Sequence, residues 1–328
     1  MPASAVVHYR RVTEFIEDLA FTRDEEHLGA SRRSLSRAAA KGLARRIARG
    51  AYLPETAWAE ASPSQRYFSR VMAVAMTRHG NPVISHWSAA AFYDIPRIGD
   101  WPEQVHFTVP PSAASSSRNG IVKHRQPLHD ADIVEYEGLL FTSLTRTLLD
   151  IAAISSFRDA VVAVDSALRV DRFGHHPPKT TREALEAAWI RAQPAKSHAR
   201  TKAVLNFAES RAETPIESIS RVTMRTIGVP RPSLQVAHYD SRGFIGETDF
   251  AWLEYGAVGE ADGDQKYLDA AFRGGRTPER VLLDEKRRED RIRALPRSLA
   301  RWPWAVALSP RLLREKLVAI GLPTGQTW

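Results

Sequence analysis

The sequence predicts an α+β protein with more than one domain. Its 328 residues exceed the length that a single hydrophobic core usually organises, and 43% hydrophobic with 26% charged residues is an ordinary globular composition. Three helical patterns precede two short strands near the N-terminus. Near the C-terminus a helix precedes three strands, a helix, a strand and a last helix. We expect three domains, at 1–60, 61–211 and 212–328.

Composition restricts the classes of function. The formal net charge of +8 favours a polyanionic partner such as nucleic acid. The absence of cysteine excludes disulfides, thiolate catalysis and cysteine-based zinc sites. No apolar run reaches the ~20 residues that a membrane helix needs, and the first residues lack an apolar signal core. These features predict a cytoplasmic protein with no membrane partner.

Residues 1–60 show the pattern of a winged helix-turn-helix. A first helix is predicted over 12–19, a second from Thr22, and a third from its cap at Ser31 to Lys41. Strands predicted at Leu43–Ile47 and Ala51–Leu53 would form the wing. In such a module the third helix enters the major groove of DNA, and the wing contacts the backbone or the minor groove.

A run of basic residues coincides with the third helix and the wing. Residues 31–50 include seven basic side chains and no acidic one. Arg33 and Arg37 lie four positions apart, so they share a helix face and are the predicted base readers. The alternative interpretation is a solvated basic face on a small helical domain. The predicted DNA-binding residues are Arg32, Arg33, Arg37, Lys41, Arg45, Arg46 and Arg49.

A family resemblance appears in this region and in the mixed α/β middle region, 61–211. The stretch LGASRRSLSRAAAKGLARRIARGAYLP resembles the N-terminal winged helix of AbiEi-family type IV antitoxins, and SHWSAAAFYDIP, VHFTVP and TSLTRTLLD resemble the region that follows it in that family. The resemblance implies binding to double-stranded promoter DNA, autorepression of a toxin–antitoxin operon, and a cognate toxin as a partner.

The module at 212–328 begins with a strong helix-start signal. Thr214 is the predicted N-cap, Pro215 takes the first helical position, and Glu217 completes a capping box. The later elements follow from apolar patterns and turn residues. They are strands at Leu234–Tyr239, Phe244–Trp252 and from Ala257, a helix from Thr277-Pro278 to Leu295, a strand at Trp304–Leu308 and a helix at Pro310–Ile320.

The hairpin at 244–267 concentrates carboxylates. A four-residue loop at 253–256 would place Asp249 opposite Glu260, and a two-residue turn would place it opposite Asp262. The three carboxylates share one face in either register. Carboxylates about 5 Å apart repel by roughly 3 kcal/mol at an effective dielectric of about 20, so a cation is expected among them. We predict Mg²⁺ or Mn²⁺ with Asp249, Glu260 and Asp262 as ligands.

The order of elements and the spacing of these acids resemble the PD-(D/E)XK nuclease fold, most closely its very-short-patch-repair-like branch. That restriction-endonuclease-like resemblance implies that Asp249 and Glu260 hold a divalent metal, with Glu217 as the nearby helix glutamate. It also implies a lysine two positions after the second acid. Asp262 stands at that position, and the nearest lysine is Lys266. The catalytic set implied is Asp249, Glu260, Asp262, Lys266 and Glu217.

Three functions therefore remain open. The main hypothesis is an AbiEi-type DNA-binding repressor. The alternatives are a metal-dependent DNA endonuclease, and a nuclease fold without activity that serves homodimerisation or toxin binding. The carboxylates would in the last case be structural, with Asp249 and Glu260 paired to arginines of the helix at 278–295. The histidines His124, His129, His175 and His176 lack the spacing of metal ligands.

Overall fold

The computed structural model describes most of the chain as two compact units. The described residues are 18–27, 31, 33–78, 80, 82–113, 120–171, 174, 177–193, 197–262, 287–288, 290–292, 294–295 and 297–328. The first unit extends to Ala208 and the second covers Glu209–Trp328. Both contain helices and sheet, which confirms a mixed α and β protein. Within the described ranges, no helix is long and apolar enough to cross a membrane.

The first unit opens with short helices around a three-stranded sheet. Its strands lie in the order β1-β3-β2 and both pairs are antiparallel. The predicted helix over 12–19 falls mainly outside the described residues. The elements are β1 (Ala20–Phe21), α1 (Thr22–His27), α2 (Ser34–Ala40), β2 (Ala44–Ala48), β3 (Ala51–Pro54) and α3 (Glu55–Glu60).

The rest of this unit is a five-stranded mixed sheet covered by helices. Its order is β6-β5-β4-β8-β7, with parallel pairs β5–β6 and β4–β8. The elements are α4 (Pro63–Met76), β4 (Val83–Ile84), α5 (His86–Phe92), β5 (Val105–Val109), β6 (Ile121–Arg125), β7 (Ile133–Tyr136), β8 (Leu139–Thr142), α6 (Leu144–Ile154), α7 (Phe157–Leu168), α8 (Arg182–Arg191) and α9 (His198–Phe207).

One hydrophobic core joins the two parts of the first unit. Phe21 and Leu53 of the small sheet belong to the same buried cluster as Phe68 and Met72 of α4 and Phe107 of β5. The α4 helix starts at a capping box, in which Ser62 Oγ accepts from the Gln65 amide and Gln65 accepts from the Ser62 amide. The division of this region into domains at position 60 stays a prediction.

The second unit is a helix-flanked, four-stranded sheet in the order β12-β11-β10-β9. The β9–β10 and β10–β11 pairs are antiparallel, and β11–β12 is parallel. Further helical residues occur at 287–288 and 290–292. The elements are α10 (Pro215–Ile227), β9 (Ser233–Asp240), β10 (Gly243–Trp252), β11 (Ala257–Asp262), β12 (Ser298–Pro303), α11 (Trp304–Ala307) and α12 (Pro310–Ala319).

The predicted start and end of α10 are confirmed. Thr214 Oγ1 accepts a hydrogen bond from the amide of Glu217, Pro215 is the first helical residue, and Gly228 ends the helix with a left-handed φ of 70°. A Cβ at Gly228 would also lie 2.9 Å from the backbone nitrogen of Gly325, so a larger residue meets strain and a clash there.

Three parts of the sequence prediction were wrong or incomplete. The last strand was expected at Trp304–Leu308, but the strand is β12 and those residues begin with the short helix α11. The two-residue strands β1 and β4 were not predicted. Most of the helix expected from Thr277 to Leu295 lies outside the described residues.

Candidate functional site

The residues predicted to form the recognition helix and the wing form the helix α2 and the β2–β3 hairpin. The Arg37 amide donates to the Arg33 carbonyl at 2.9 Å, so the two arginines lie one helical turn apart on the same side. Arg33, rather than Ser31, is the N-cap residue, and Ser31 Oγ accepts from the Arg33 amide at 3.3 Å. Both arginine side chains are exposed.

The basic side chains of this region remain open to solvent. Arg32 lies outside the described residues. The other predicted DNA-binding residues, Arg33, Arg37, Lys41, Arg45, Arg46 and Arg49, are all exposed. Of these, Arg45 is the one that forms an ion pair with another described residue. Five basic side chains of α2 and the hairpin are therefore exposed without an ion pair to a described residue, and we call them the basic surface (Arg33, Arg37, Lys41, Arg46 and Arg49).

Arg45 has a different environment from the other wing arginines. Its Nε and Nη2 donate to the two carboxylate oxygens of Glu55 at 3.0 and 2.6 Å. Its guanidinium also lies 5.3 Å from the ring centre of Trp58, which Arg66 contacts at the same distance. This bidentate pair lowers the pKa of Glu55 and fixes β2 against α3. Arg45 therefore positions the β2–β3 hairpin.

In the second unit, the predicted carboxylates lie in one row across the sheet. The β10–β11 pairs are Phe250↔Gly259 and Trp252↔Ala257, the register expected for the four-residue loop, which places Asp249 opposite Glu260. In the neighbouring pairs Glu260 lies opposite Arg301 of β12, and the β9–β10 register places Gln235 opposite Asp249. The row therefore reads Gln235, Asp249, Glu260, Arg301.

Glu260 is buried and its two carboxylate oxygens each accept from an arginine. Arg288 Nη2 donates to Oε1 at 2.8 Å, and Arg301 donates to Oε2 through Nε at 2.9 Å and through Nη2. The Glu260 side chain is 9% exposed, against 24% and 25% for the two arginines. Both partners come from segments that follow β11 in the chain, so the pairing is a tertiary contact.

The other predicted catalytic residues have structural contacts. Asp249 Oδ2 accepts from the Ala261 amide at 2.8 Å. Glu217 is 1% exposed and accepts from the Glu213 amide, Thr214 Oγ1 and Gln235 Nε2 at 2.7–3.0 Å. Asp262 is half-buried at the end of β11, two residues beyond Glu260. Lys266 lies outside the described residues.

These contacts do not fit a divalent metal among the described residues. Mg²⁺ and Mn²⁺ need carboxylate oxygens directed at the ion, whereas both oxygens of Glu260 face guanidinium groups and Asp249 accepts a backbone amide. In the part of the chain that is described, no three His, Asp or Glu side chains converge as metal ligands would. The geometry favours the structural interpretation of the carboxylates, and the predicted catalytic metal stays a prediction.

A cluster of two buried histidines and a half-buried one in the first unit was not found by sequence reasoning. The rings of His86 and His124 stack with centroids 3.5 Å apart, and His106 Nδ1 lies 2.9 Å from His124 Nε2. Burial is the main cause that lowers the pKa of His106 and of His124 to about 4, so both are neutral at pH 7. The three residues lie on α5, β5 and β6, and no sequence spacing connects them.

A buried acid–base network borders the histidine cluster. Asp150 Oδ1 accepts from Arg146 Nε and Gln126 Nε2, both at 2.9 Å, while Oδ2 lies 3.8 Å from His86 Nδ1. Burial raises the pKa of Asp150, and Arg146 opposes that shift. Arg146 also pairs with Asp132 at 3.3 Å. The network connects β6, α5 and α6 inside the unit.

Comparison with known proteins gives distant relatives. No protein-family model matches the sequence. Two similar proteins are the uncharacterized proteins MT2308 and Rv2248 of Mycobacterium tuberculosis, from the strains CDC 1551 / Oshkosh and ATCC 25618 / H37Rv. Each is 26% identical over 182 residues, which is 52% of this chain and 64% of the relative. This chain thus spans less than two thirds of either relative's length.

Proposed function

We propose that this protein is a double-stranded-DNA-binding transcriptional regulator of the AbiEi antitoxin type. The observation that carries the proposal is the basic surface, on which Arg33, Arg37, Lys41, Arg46 and Arg49 are exposed and make no ion pair with another described residue. Positive charge concentrated on one short segment favours a polyanionic partner, and DNA phosphates supply the counter-charge.

The order of elements supports a winged helix-turn-helix. The short strand β1 pairs with β3, and α1 and α2 lie between β1 and the β2–β3 hairpin along the chain. In this arrangement α2 is the recognition helix and the hairpin is the wing. In this proposal Arg33, the N-cap residue of α2, and Arg37, one turn later, donate to O6 and N7 of guanine in the major groove.

The wing contributes affinity rather than sequence readout. Arg46 and Arg49 are exposed along β2 and the turn after it, where they would contact phosphates or the minor groove. Arg45 contributes indirectly, because its pair with Glu55 holds β2 against α3. Each phosphate neutralised should add about −0.9 to the slope of log K against log salt concentration.

The regulated promoter would be that of the protein's own operon. An antitoxin of this type represses its operon and is encoded beside its toxin, so a nucleotidyltransferase-like toxin gene next to this gene is expected. The cognate toxin and a second copy of the chain are the proposed protein partners. Pull-down of the product of the neighbouring gene by the full chain tests the toxin partnership.

The test of DNA binding is the double variant Arg33→Ala/Arg37→Ala. Fluorescence anisotropy with the DNA upstream of the gene should show at least a tenfold loss of affinity, because two base contacts at about 1–3 kcal/mol each are removed. Non-specific DNA should be affected less, so the ratio of specific to non-specific affinity should fall.

Arg311→Ala/Arg314→Ala is the matched control. Arg311 and Arg314 are exposed arginines of α12 whose removal also lowers the net charge by two, and they lie in the other unit. This variant should leave affinity for the upstream DNA unchanged. Unchanged affinity in the Arg33→Ala/Arg37→Ala variant would rule out this surface as the DNA-binding site.

A further inference from the structure

We propose that the guanidinium groups of Arg288 and Arg301 supply the cation that the carboxylates of the second unit require, in place of a divalent metal. This inference concerns the second unit alone and does not depend on DNA binding by the basic surface. It assigns to Arg288 and Arg301 the function of a built-in counter-charge. It also identifies Glu260, between Arg288 and Arg301, as the centre of a structural ion-pair cluster.

The first argument is the completeness of the contacts around Glu260. Each carboxylate oxygen accepts from a different arginine, with donor–acceptor distances of 2.8 Å from Arg288 Nη2 and 2.9 Å from Arg301 Nε. Arg301 approaches through two nitrogens of its planar fork, an arrangement that lysine cannot reproduce. A metal ion would have to displace both partners.

The second argument is that the backbone is adapted to admit Arg288. A Cβ at Gly246 would lie 2.9 Å from Arg288 Cδ and 3.4 Å from its Cγ, so a glycine is needed where the arginine stem crosses β10. Arg288 Nη1 also donates to the Glu247 carbonyl at 3.0 Å. The arginine is thus held by backbone contacts in addition to its ion pair with Glu260.

The third argument is electrostatic. Arg301 lies directly opposite Glu260 in the parallel β11–β12 pair, so its charge is fixed by the sheet register. A divalent cation bound at Glu260 would stand within a few ångströms of two guanidinium groups, in a site where water is largely excluded. Like-charge repulsion of that kind disfavours metal binding.

Metal binding is the first test, measured on the full chain. Electron paramagnetic resonance of Mn²⁺ at neutral pH should show only free aqueous ion. The thermal unfolding midpoint should be the same in millimolar Mg²⁺ and in a chelator. One Mn²⁺ bound per chain and lost in Glu260→Gln would overturn the proposal. So would plasmid cleavage in Mg²⁺ that is lost in Asp249→Ala and Glu260→Ala.

The second test measures the ion pair itself. Glu260→Gln keeps the shape of the side chain but removes the charge that both arginines contact. Hydrogen exchange of amides in β10, β11 and β12 should become at least tenfold faster. Glu254→Gln, in the exposed 3-10 turn at Leu253–Tyr255, is the matched control and should leave exchange unchanged. Equal exchange in the two variants would contradict the proposal.

Arg301→Lys separates charge from geometry. It retains a positive charge on β12 but loses the two-nitrogen contact with Glu260 Oε2. Exchange in β11 and β12 should then be intermediate between wild type and Glu260→Gln. Protection equal to wild type would show that the guanidinium fork has no structural function.

Discussion

At the scale of single residues, Glu217 illustrates how a buried acid can be stabilised entirely by the chain around it. It lies in the first turn of α10, where its side chain accepts from the backbone amide of Glu213 and the hydroxyl of Thr214. Gln235 of β9 reaches the same carboxylate at 3.0 Å. The residue therefore caps the helix and attaches it to the sheet.

The substitution Glu217→Ala should destabilise the second unit by roughly 1–3 kcal/mol. It removes the acceptor for three donors in a site that is almost inaccessible to water, and an unsatisfied buried donor costs about that much. Urea unfolding followed by circular dichroism measures the change. Glu254→Ala, at an exposed position, is the control and should cost less than about 0.5 kcal/mol. Equal stability of the two variants would show that the cap contributes nothing.

Contacts of a single residue also distinguish Arg45 from the arginines next to it in the sequence. The sequence presents Arg45, Arg46 and Arg49 as equivalent wing arginines. The partner of Arg45 is Glu55, ten positions later and beyond the next strand, and the distances of 3.0 and 2.6 Å depend on how β3 returns beside β2. Counting charges in the sequence therefore identifies the basic surface, but it does not show that Arg45 is paired with Glu55.

At the scale of elements, β11 packs closely against β12 because it carries a glycine. A Cβ at Gly259 would lie 2.6 Å from Cη2 and 2.8 Å from Cζ3 of Trp302, a fully buried ring. Trp302 Nε1 donates to Ser220 Oγ of α10 at 2.8 Å, so the ring cannot move aside. The interface between the sheet and α10 is consequently fixed around this contact.

Gly259→Ala should lower the stability of the second unit by about 1–3 kcal/mol through overpacking. Chemical denaturation followed by tryptophan fluorescence would report the loss. The double variant Gly259→Ala/Trp302→Phe should lose less than the sum of the single variants, because the smaller ring vacates the space that the new methyl group enters. Strict additivity would contradict this explanation.

The elements themselves were predictable to different degrees. The helix α10 was predicted correctly, because its caps are local features. The sequence left two registers open for the β10–β11 hairpin, and the structure has the register of the four-residue loop. The last strand was predicted at Trp304–Leu308, but it lies at Ser298–Pro303. Arg301 interrupts the apolar pattern of β12, and its charge is paired with Glu260 on the neighbouring strand β11, a contact that the sequence does not show.

At the scale of the whole molecule, the first unit is held by a polar cluster inside its core. The ring of His86 stacks on those of His106 and His124. His86 also lies beside Asp150 of α6, which pairs with Arg146 on the same helix. Burial, together with neighbouring histidines and Arg146, lowers the pKa of His86 well below its ordinary value. Arg97 adds to the lowering for His106. Neutral histidines are therefore part of the native packing.

The first unit should consequently lose stability in mild acid. The pKa of His106 is about 4 in the folded chain and about 6.5 when unfolded, so the unfolded state binds more protons between these values. The contribution of this group to the free energy of unfolding is complete above pH 6.5. It falls by roughly 3 kcal/mol as the pH falls from 6.5 towards 4. Urea midpoints from pH 7.5 to 4.5, with hydrogen exchange of β5 and α6, measure it.

His124→Gln should weaken this acid dependence, because one stacked base is replaced by a neutral amide. His129→Asn is the control: His129 is exposed and caps the 3-10 turn at Asp130–Asp132. The control variant should retain the full dependence on pH. A urea midpoint that does not change with pH in the wild-type chain would contradict the prediction that neutral histidines stabilise the first unit.

Taken by itself, the sequence determined the features that are contained within short segments. These are the mixed α and β class, the capped helix α10, the hairpin that puts Asp249, Glu260 and Asp262 on one face, and the uninterrupted basic run of 31–50. Each depends on residues a few positions apart, whose geometry follows from helix and strand periodicity and from turn length.

Only the tertiary structure decided what those features contact. Arg288 and Arg301 follow Glu260 by 28 and 41 positions, and His86, His106 and His124 meet from three different elements. Contacts of this kind depend on how the strands pack and on the side chains that compete for each buried charge. For that reason Glu260, which the sequence suggested as a metal ligand, faces two arginines in the fold.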